Sequence, residues 1–579
     1  MTSRKMSGYS QKDGSIGIAD YVVFVLMLVV SAGIGAYYAW VDRSKKSSGH
    51  YLTAGSKLTA LPVSMSLTVS IMSSITVLSN PAEVYRFGAI YGLIGIAYVL
   101  SIVITSEIFL PVFYRLGITS IYEYLELRFN RTTRLLGTVI FIFQSTLYAG
   151  VCIYGPALAL NRVIGMDIWA GITLTACVCT FYCTLGGLKA VVWTDVFQIG
   201  IMLSGFLAVI IKAVIVQGGV STIISDAQQG GRLNFWDFDI NPLRRHTFWT
   251  LLVGGTAVWS TVHGVIPASV QRYIACKNIT HARIAVFINL LGLCSFLACV
   301  VFAGLCLYSV YKSCDPLMAG LVSSHDQLIP NLVMEILKDN PGLPGLFFAA
   351  VYSGSLSTVS SSINVLAAVT VEDLIKPFTK ISEKHLLFIS KGLSLFYGIA
   401  CLAMAGLATI MGEMMQAATV IGGVTGGPLL GLFSLGILCP FANSKGGLSG
   451  LVSGLVVSLC VSIGEMICPS PPEMTRPLPL TTEGCNFTIA GGRNWSSTAV
   501  PTEHSLFITA PVQNSEDMHS LDGKWHFPSY LYICLIGAVI ALTVGMTVSL
   551  LTGGRRENVE PRLLLKKEDS AFYNLLKSL

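Results

Sequence analysis

Charge is what this chain has least of. Only 12% of its 579 residues are Asp, Glu, Lys or Arg, against roughly 25% in an average soluble domain. A water-soluble enzyme or a disordered chain of this length needs far more. The net charge of +6 is small for the length and does not point to nucleic acid. The 15 cysteines include no C-x-x-C pair, which removes zinc clusters and thioredoxin-like redox motifs. No G-x-x-x-x-G-K-[ST] loop is present, so pumping driven by a phosphate-binding loop is excluded. None of the 9 histidines is followed by Glu, so no H-E-x-x-H zinc site exists, and no Arg-rich span resembles a voltage sensor. With no catalytic constellation, the chain does not read as an enzyme.

What the chain has instead is apolar length. Hydrophobic residues make up 53% of it, and its mean hydropathy is +0.68. A helix needs about 20 apolar residues to cross the hydrocarbon core. Thirteen runs qualify: 18–41, 58–79, 89–115, 137–163, 167–187, 190–216, 247–265, 283–310, 343–368, 388–411, 416–440, 446–467 and 529–552. They are too long and continuous for barrel strands. The expected fold class is therefore an all-α integral membrane protein of 13 transmembrane helices. The polar first seventeen residues and the length of the first run argue against a cleaved signal peptide.

An odd number of spans puts the termini on opposite sides, and lysine and arginine choose the side. With the N-terminus outside, the inner segments collect Arg43, Lys45, Lys46, Lys57, Arg115, Arg128, Arg131, Arg134, Arg272, Lys277 and Arg283. Arg4, Lys5 and Lys12 oppose that assignment. The long 469–528 loop then lies outside and carries two glycan acceptor triplets, at Asn486 and Asn494. Triplets at Asn130 and Asn278 fall inside and should be silent. Whether Cys468 and Cys485 pair is open. Glu107, Lys391, Lys212 and Glu465 lie where long side chains snorkel to the interface.

Two early spans are poor helices. The second, Leu61–Pro81, is crowded with Ser and Thr and has a proline near each end. The seventh, Thr247–Pro267, carries Gly254-Gly255 and then His263-Gly264 before Pro267. Small residues also serve close helix packing, but two interrupted spans five apart are the sequence pointer to an inverted repeat around a central site. The eleventh span, with Gly422-Gly423 and Gly426-Gly427-Pro428, reads as a hinge or thin gate.

Asp195, in the sixth span, is an ionisable residue at membrane depth. The ninth span contains Ser353, Gly354, Ser355, Ser357, Thr358, Ser360, Ser361 and Ser362. A hard cation such as Na⁺ needs several oxygens to replace its water. A break in the second span would release carbonyls near Val69 and Met72. Ser357, Thr358 and the Gly354 carbonyl share one helix face, with the Asp195 charge nearby. Ser and Thr in membrane helices ordinarily bond back to the i−4 carbonyl, so the reading rests on the cluster.

Four stretches, Val112–Asn130, Thr180–Gln198, Arg245–Gly255 and Tyr352–Pro377, resemble the sodium:solute symporter family. They are most similar to the branch holding sodium-coupled monocarboxylate transporters, the iodide symporter and the multivitamin transporter. Gly230–Phe238 and Thr552–Arg562 look most like the monocarboxylate members. The resemblance implies a leucine-transporter-like five-plus-five inverted repeat. Its halves would be 58–216 and 247–440, with an added helix at 18–41, helices 446–467 and 529–552 behind, and tails at 1–17 and 553–579. It implies Na⁺ held by Val69, Met72, Gly354, Ser357 and Thr358, with Ser70 and Asp195 close by, and no cofactor besides that ion. It implies a substrate pocket drawing on Ser73, Thr76, Tyr148 and Trp259.

The function so implied is sodium-driven import of small monocarboxylates (lactate, pyruvate, short-chain fatty acids or nicotinate) across the plasma membrane. An apical location in epithelia stays open. The alternatives are a symporter of iodide, another inorganic anion or a vitamin, or a transporter-like sensor or leak channel. One segment departs from the branch. Where a Tyr-Gly-Val-Asn-Gln stretch is usual, this chain has His263-Gly264-Val265-Ile266-Pro267. His263, Gly264 and Pro267 are therefore expected to gate differently, with His263 either proton-sensitive or a packing residue.

Overall fold

The computed structural model describes residues 17–41, 58–118, 120–185, 188–379, 381–485, 526–553 and 559–569. Asn486, Asn494 and most of the 469–528 loop lie outside the described residues. The described residues are helical, with strand pairing confined to one isolated bridge between Leu58 and Cys276. In chain order the helices are α1 (Ile18–Val41), α2 (Ala60–Ile71), α3 (Ser74–Phe87), α4 (Ala89–Leu116), α5 (Ile121–Arg128), α6 (Arg131–Ile164), α7 (Ile168–Leu185), α8 (Leu188–Gln217) and α9 (Val220–Gln229). They continue with α10 (Gly255–Gly264), α11 (Pro267–Ile274), α12 (Ile279–Tyr311), α13 (Leu328–Ile336), α14 (Leu343–Ile375), α15 (Glu383–Ala408), α16 (Met414–Leu438), α17 (Ser444–Ile467) and α18 (Tyr532–Leu551).

Among the described residues, 10 helices are long and apolar enough to cross a bilayer. Two bent pairs pass the same test together. α2 meets α3 at 60°, and Thr250–Gly264, whose first turn is a π-helix, meets α11 at 52°. These are the second and seventh runs. The first breaks where its serines and threonines cluster. The second breaks at Val265–Ile266, not at the Gly254-Gly255 pair, because Pro267 cannot donate to the preceding turn and starts a new helix.

The core is built around α14. Its most apolar window is 100% buried, whereas that of α1 is 22% buried and faces outward. α14 packs against α8, α6, α1 and α15. α1 is tied to its start by Asp20, which accepts from the backbone N–H groups of Gly342 (2.8 Å) and Gly345 (3.2 Å).

Helix starts are capped from the sequence. Asn130 accepts from the Thr133 N–H at 2.8 Å, and Asn278 from the His281 N–H at 2.8 Å. Both acceptor-triplet asparagines thus serve as N-caps. Lys212 donates to Asn340, in the loop that precedes α14, at 2.7 Å.

The eleventh run shows no break: α16 passes continuously through Pro428. Its glycines let α18 approach: a Cβ on Gly427 would lie 2.3 Å from the Cys534 carbonyl oxygen, and one on Gly431 2.5 Å from that of Ala538. Cys485 is bonded to Cys314, 171 residues away, and Cys468 is free. On the opposite face, the tail segment 559–569 lies against the ends of α4, α5, α12 and α16. Arg115 donates to the carbonyls of Arg562 (2.9 Å) and Leu564 (2.7 Å), Arg283 to that of Asp569 (2.5 Å), and Tyr124 to that of Leu563 (3.2 Å). The Leu565 N–H donates to the Ile437 carbonyl at 3.3 Å.

Candidate functional site

The break between α2 and α3 is two residues long. Met72 caps α2 with ψ 96°, and Ser73 caps α3 with φ −95° and ψ −176°. Both are outside helical geometry, so the last carbonyls of α2 and the first N–H groups of α3 lose their in-helix partners. Part of this is repaired locally: the Ser73 hydroxyl accepts from the Ile75 N–H at 3.2 Å, and the Met72 N–H reaches the Thr68 carbonyl at 3.0 Å. The rest is repaired by α14. Thr358 donates to the Ser70 carbonyl at 3.1 Å. Gly354 is pressed against the break so closely that a Cβ there would lie 3.0 Å from the Ser73 carbonyl carbon and 3.2 Å from the Met72 oxygen.

On the other side of α14, Ser357 donates to Asp195 at 2.6 Å. The same carboxylate accepts from Ser66 at 2.5 Å. Ser357 and Thr358 each give their one proton away, to Asp195 and to the Ser70 carbonyl. Their oxygens therefore keep lone pairs that a cation can use. Val69, Ser70 and Met72 at the end of α2 and Gly354, Ser357 and Thr358 on α14 are thus brought to one junction, with Asp195 of α8 hydrogen-bonded to it. Two other hydroxyls of the ninth run hold neighbouring backbone, while Ser361 and Ser362 line the cavity and the Ser353 hydroxyl is buried with no partner among the described residues. Ser355, together with Ser74 of α3, donates to the Cys152 carbonyl of α6 (2.7 and 3.1 Å), and Ser360 bonds back to Ser357 at 3.1 Å.

A cavity of about 210 Å³ opens beside the break. Ser73, Thr76, Tyr148 and Trp259 all line it, as do Ser70, Met72 and Thr358. Trp259 is held edge-on by Tyr98, with ring centroids 4.5 Å apart. Sequence reasoning passed over Tyr98, Asn80 and Gln144, which share the lining. Gln144 carried a readable signal, as an amide inside the apolar run FIFQ. Its Oε1 is buried with no partner among the described residues. Val69, Asp195, Gly354 and Ser357 stand behind the wall rather than in it.

The three gate candidates sit behind the cavity surface. His263, Gly264 and Pro267 do not line the cavity; Ile266, Ala268 and Ser269 from the same segment do. His263 is 2% exposed and donates from Nδ1 to the Trp259 carbonyl at 2.9 Å, so it packs and orients. Gly264 abuts Phe109, where a Cβ would lie 2.7 Å from the ring. Phe109 is itself buried and cannot turn aside. Gly264→Ala is expected to cost about 1–3 kcal/mol by overpacking, read as a lowered melting temperature of the purified protein. An unchanged melting temperature would mean the ring has room.

Toward the disulfide face the cavity is roofed by an ionic network that sequence reasoning missed. Glu83 of α3 accepts from Arg245 at 2.6 Å and from His246 at 2.7 Å. Arg245 also reaches Gln416 (3.0 Å) and Glu413 (3.2 Å), and Glu413 pairs with Arg86. Burial holds His246 below the usual histidine range despite the pull of Glu83, so it binds Glu83 as a neutral donor. The network joins α3, the second half of the first broken pair, to the start of the second pair and to α16.

The family profile described as "Sodium:solute symporter family" matches residues 51–454. The chain is 56% identical to a sodium-coupled monocarboxylate transporter 1 of Xenopus laevis, over 98% of this chain and 90% of that one. It is 56% identical to the Homo sapiens protein of the same name over 96% and 91%. To the Homo sapiens sodium/iodide cotransporter it is 43% identical over 95% and 86%. A solved Na⁺-coupled sialic acid symporter, outward-open and substrate-bound, superimposes with a TM-score of 0.73 at 22% identity, over 92% of this chain and 98% of that one. This last likeness shows the shared fold.

Proposed function

The chain belongs to the sodium:solute symporter family, and from that premise we propose that it imports small monocarboxylates such as lactate, pyruvate, short-chain fatty acids or nicotinate by sodium-driven alternating access. The single observation that carries the reading is the junction of the α2–α3 break with Ser357 and Thr358 beside a cavity of about 210 Å³.

In this reading Na⁺ sits among the Val69, Met72 and Gly354 carbonyls and the Ser357 and Thr358 hydroxyls, with Ser70 and Asp195 adjacent. The carboxylate of the solute faces the start of α3, where Ser73 and Thr76 lie at the positive end of the helix. Tyr148 and Trp259 cover its short apolar body. Each ligand then tightens the other reciprocally, because the cation offsets the anion and props the same break. One charge crossing 100 mV is worth about 2.3 kcal/mol, so an anion carried with at least two Na⁺ draws on the membrane potential as well as on the sodium gradient.

The architecture that goes with this function has thirteen spans, α7 included. Residues 58–216 and 247–440 form the two inverted repeats, the two bent pairs sitting at corresponding positions. The N-terminus and the glycan-bearing 469–528 loop face outside, the 559–569 segment lies in the cytoplasm, and the protein resides in the plasma membrane.

Radiolabelled lactate uptake in sodium medium should collapse when choline replaces sodium. Equal uptake in both media would remove the proposal. Iodide that is itself accumulated and blocks lactate entry would favour the inorganic-anion reading, and sodium current without accumulated solute the leak channel.

A further inference from the structure

The sequence places Arg272 among the inner-face charges, yet the structure buries it. Arg272 is 1% exposed, and every part of its guanidinium is engaged. Nε donates to Ser66 of α2 at 2.8 Å, Nη2 to Ser361 of α14 at 2.6 Å, and Nη1 to its own helix at the Ala268 carbonyl at 2.7 Å. Nη2 also lies 3.5 Å from Asp195 of α8, the carboxylate that Ser66 and Ser357 share.

The residue sits on α11, the eight-residue piece beyond the 52° bend. α11 begins at the cavity wall, with Ala268 and Ser269 in the lining. It is fastened back to α10 by Tyr273, which donates to the His263 carbonyl at 3.3 Å. One short helix therefore closes the tail-side end of the cavity, and a single cation on it binds three neighbouring helices.

We propose that Arg272 is an electrostatic interlock: a tethered cation that holds α11 against α2, α8 and α14 and competes with the transported Na⁺ for the charge of Asp195. The inference rests on the reading of a sodium site at Ser357 and Thr358 and adds the element that links that site to opening of the tail-side face. While α11 is seated, the Asp195 charge is divided between Arg272 and the sodium junction. When α11 swings away it takes the guanidinium with it, and a carboxylate buried at 0% exposure is left without its counter-charge. A buried carboxylate without a partner is costly, so opening with the cation site vacant is disfavoured. A cation at the junction replaces what Arg272 removes. Arg272 is thus a positioning residue for transport, acting through Asp195.

The test uses the full-length protein and a native reporter. Cys276 is 1% exposed and follows directly on α11. Its labelling by an impermeant maleimide in inside-out vesicles, assigned against Cys276→Ser, reports release of α11. It is read with and without Na⁺ and with no organic solute present. Arg272→Gln is expected to raise Cys276 labelling about tenfold and to lower the sodium concentration that modulates it by about the same factor. Arg272→Lys, which keeps the charge, should restore the sodium dependence toward wild type. Ser66→Ala, which removes the hydrogen bond from Arg272 and the one to Asp195 but no charge, should shift labelling in the same direction by less, and carries the test if Arg272→Gln fails to reach the membrane.

Raised labelling with an unmoved sodium dependence in Arg272→Gln would reduce Arg272 to a structural contact and overturn the interlock. Labelling unchanged in Arg272→Gln and Ser66→Ala, in a wild type that responds to sodium, would overturn it while leaving the transport reading intact. A wild type whose labelling ignores sodium would sink the sodium site and the interlock together, whatever solute is carried.

Discussion

Sodium-dependent lactate accumulation falls about 10–100-fold when Ser357 and Thr358 are both replaced by alanine, the scale on which losing oxygen contacts around a bound metal is felt. The half-saturating sodium concentration rises by a similar factor. The reason is the stripping of water from the ion. In the proposed site each hydroxyl removed would leave Na⁺ one oxygen short where solvent cannot replace it, and a tenfold loss of affinity corresponds to about 1.4 kcal/mol. The double replacement also strips Asp195 of its 2.6 Å donor and the Ser70 carbonyl of its 3.1 Å donor, so the break in the second span loses its fastening. Ser360→Ala is the control. That hydroxyl bonds back to its own helix, and its loss should leave sodium dependence close to wild type. Sodium titration of uptake, normalised to surface protein, decides the matter. Unchanged accumulation in the double variant would remove the junction from the mechanism.

Gly354→Val is expected to abolish transport more completely than either hydroxyl change. A Cβ at this position already lies 3.0–3.2 Å from the Met72 and Ser73 backbone, and backbone at a break has no rotamer to escape into. Alanine would force a shift of a few tenths of an ångström. The two γ-carbons of valine would push α3 and α14 apart, at about 1–3 kcal/mol or more for overpacking. Because the proposed ion site lies on one side of the break and the cavity on the other, KM for solute and half-saturation for sodium should rise together, with Gly354→Ala between valine and wild type. A variant in which only one of the two moves would show that the cation junction and the cavity are mechanically separate. Uptake kinetics on surface-normalised protein, with Tm as a folding check, make the measurement.

The long elements were legible because lipid leaves little choice. Backbone polar groups at membrane depth must be satisfied within a helix, so an apolar run of sufficient length announces a span; α1 coincides with its run end to end. The interruptions were legible for the converse reason. A crowd of Ser and Thr, or a proline beyond a glycine, weakens the intrahelical ladder, and both bent pairs fall in the spans so marked. At α16 the glycines accompany close approach to α18 and the helix does not break. Glycine content alone cannot separate the two, because the deciding atom, the Cys534 carbonyl, is more than a hundred residues away.

The site divides along the same line. Ser357, Thr358 and Gly354 share a helix face by periodicity, and that could be counted. Arg272 could not be placed. In the chain it is one more basic residue at an inner end, indistinguishable from Arg283, which the tail segment engages at that face. Only the 52° turn at Pro267 carries it inward to Asp195. Glu83 and Arg245 escaped notice for a related reason. Neither was singled out in the sequence, and only their pairing, together with Glu413 from a third element, makes a buried network.

The order of residues by itself determined that this chain lives in lipid, where its helices run, which two of them break, and which family it resembles. Those follow from hydropathy, periodicity and local backbone chemistry, which act over a turn or two of helix. The partner of Cys485, the burial of Arg272, the pairing of Glu83 with Arg245 and the fastening of the 559–569 segment were decided only when distant helices met. A charge or a thiol has no fixed neighbour until the fold chooses one.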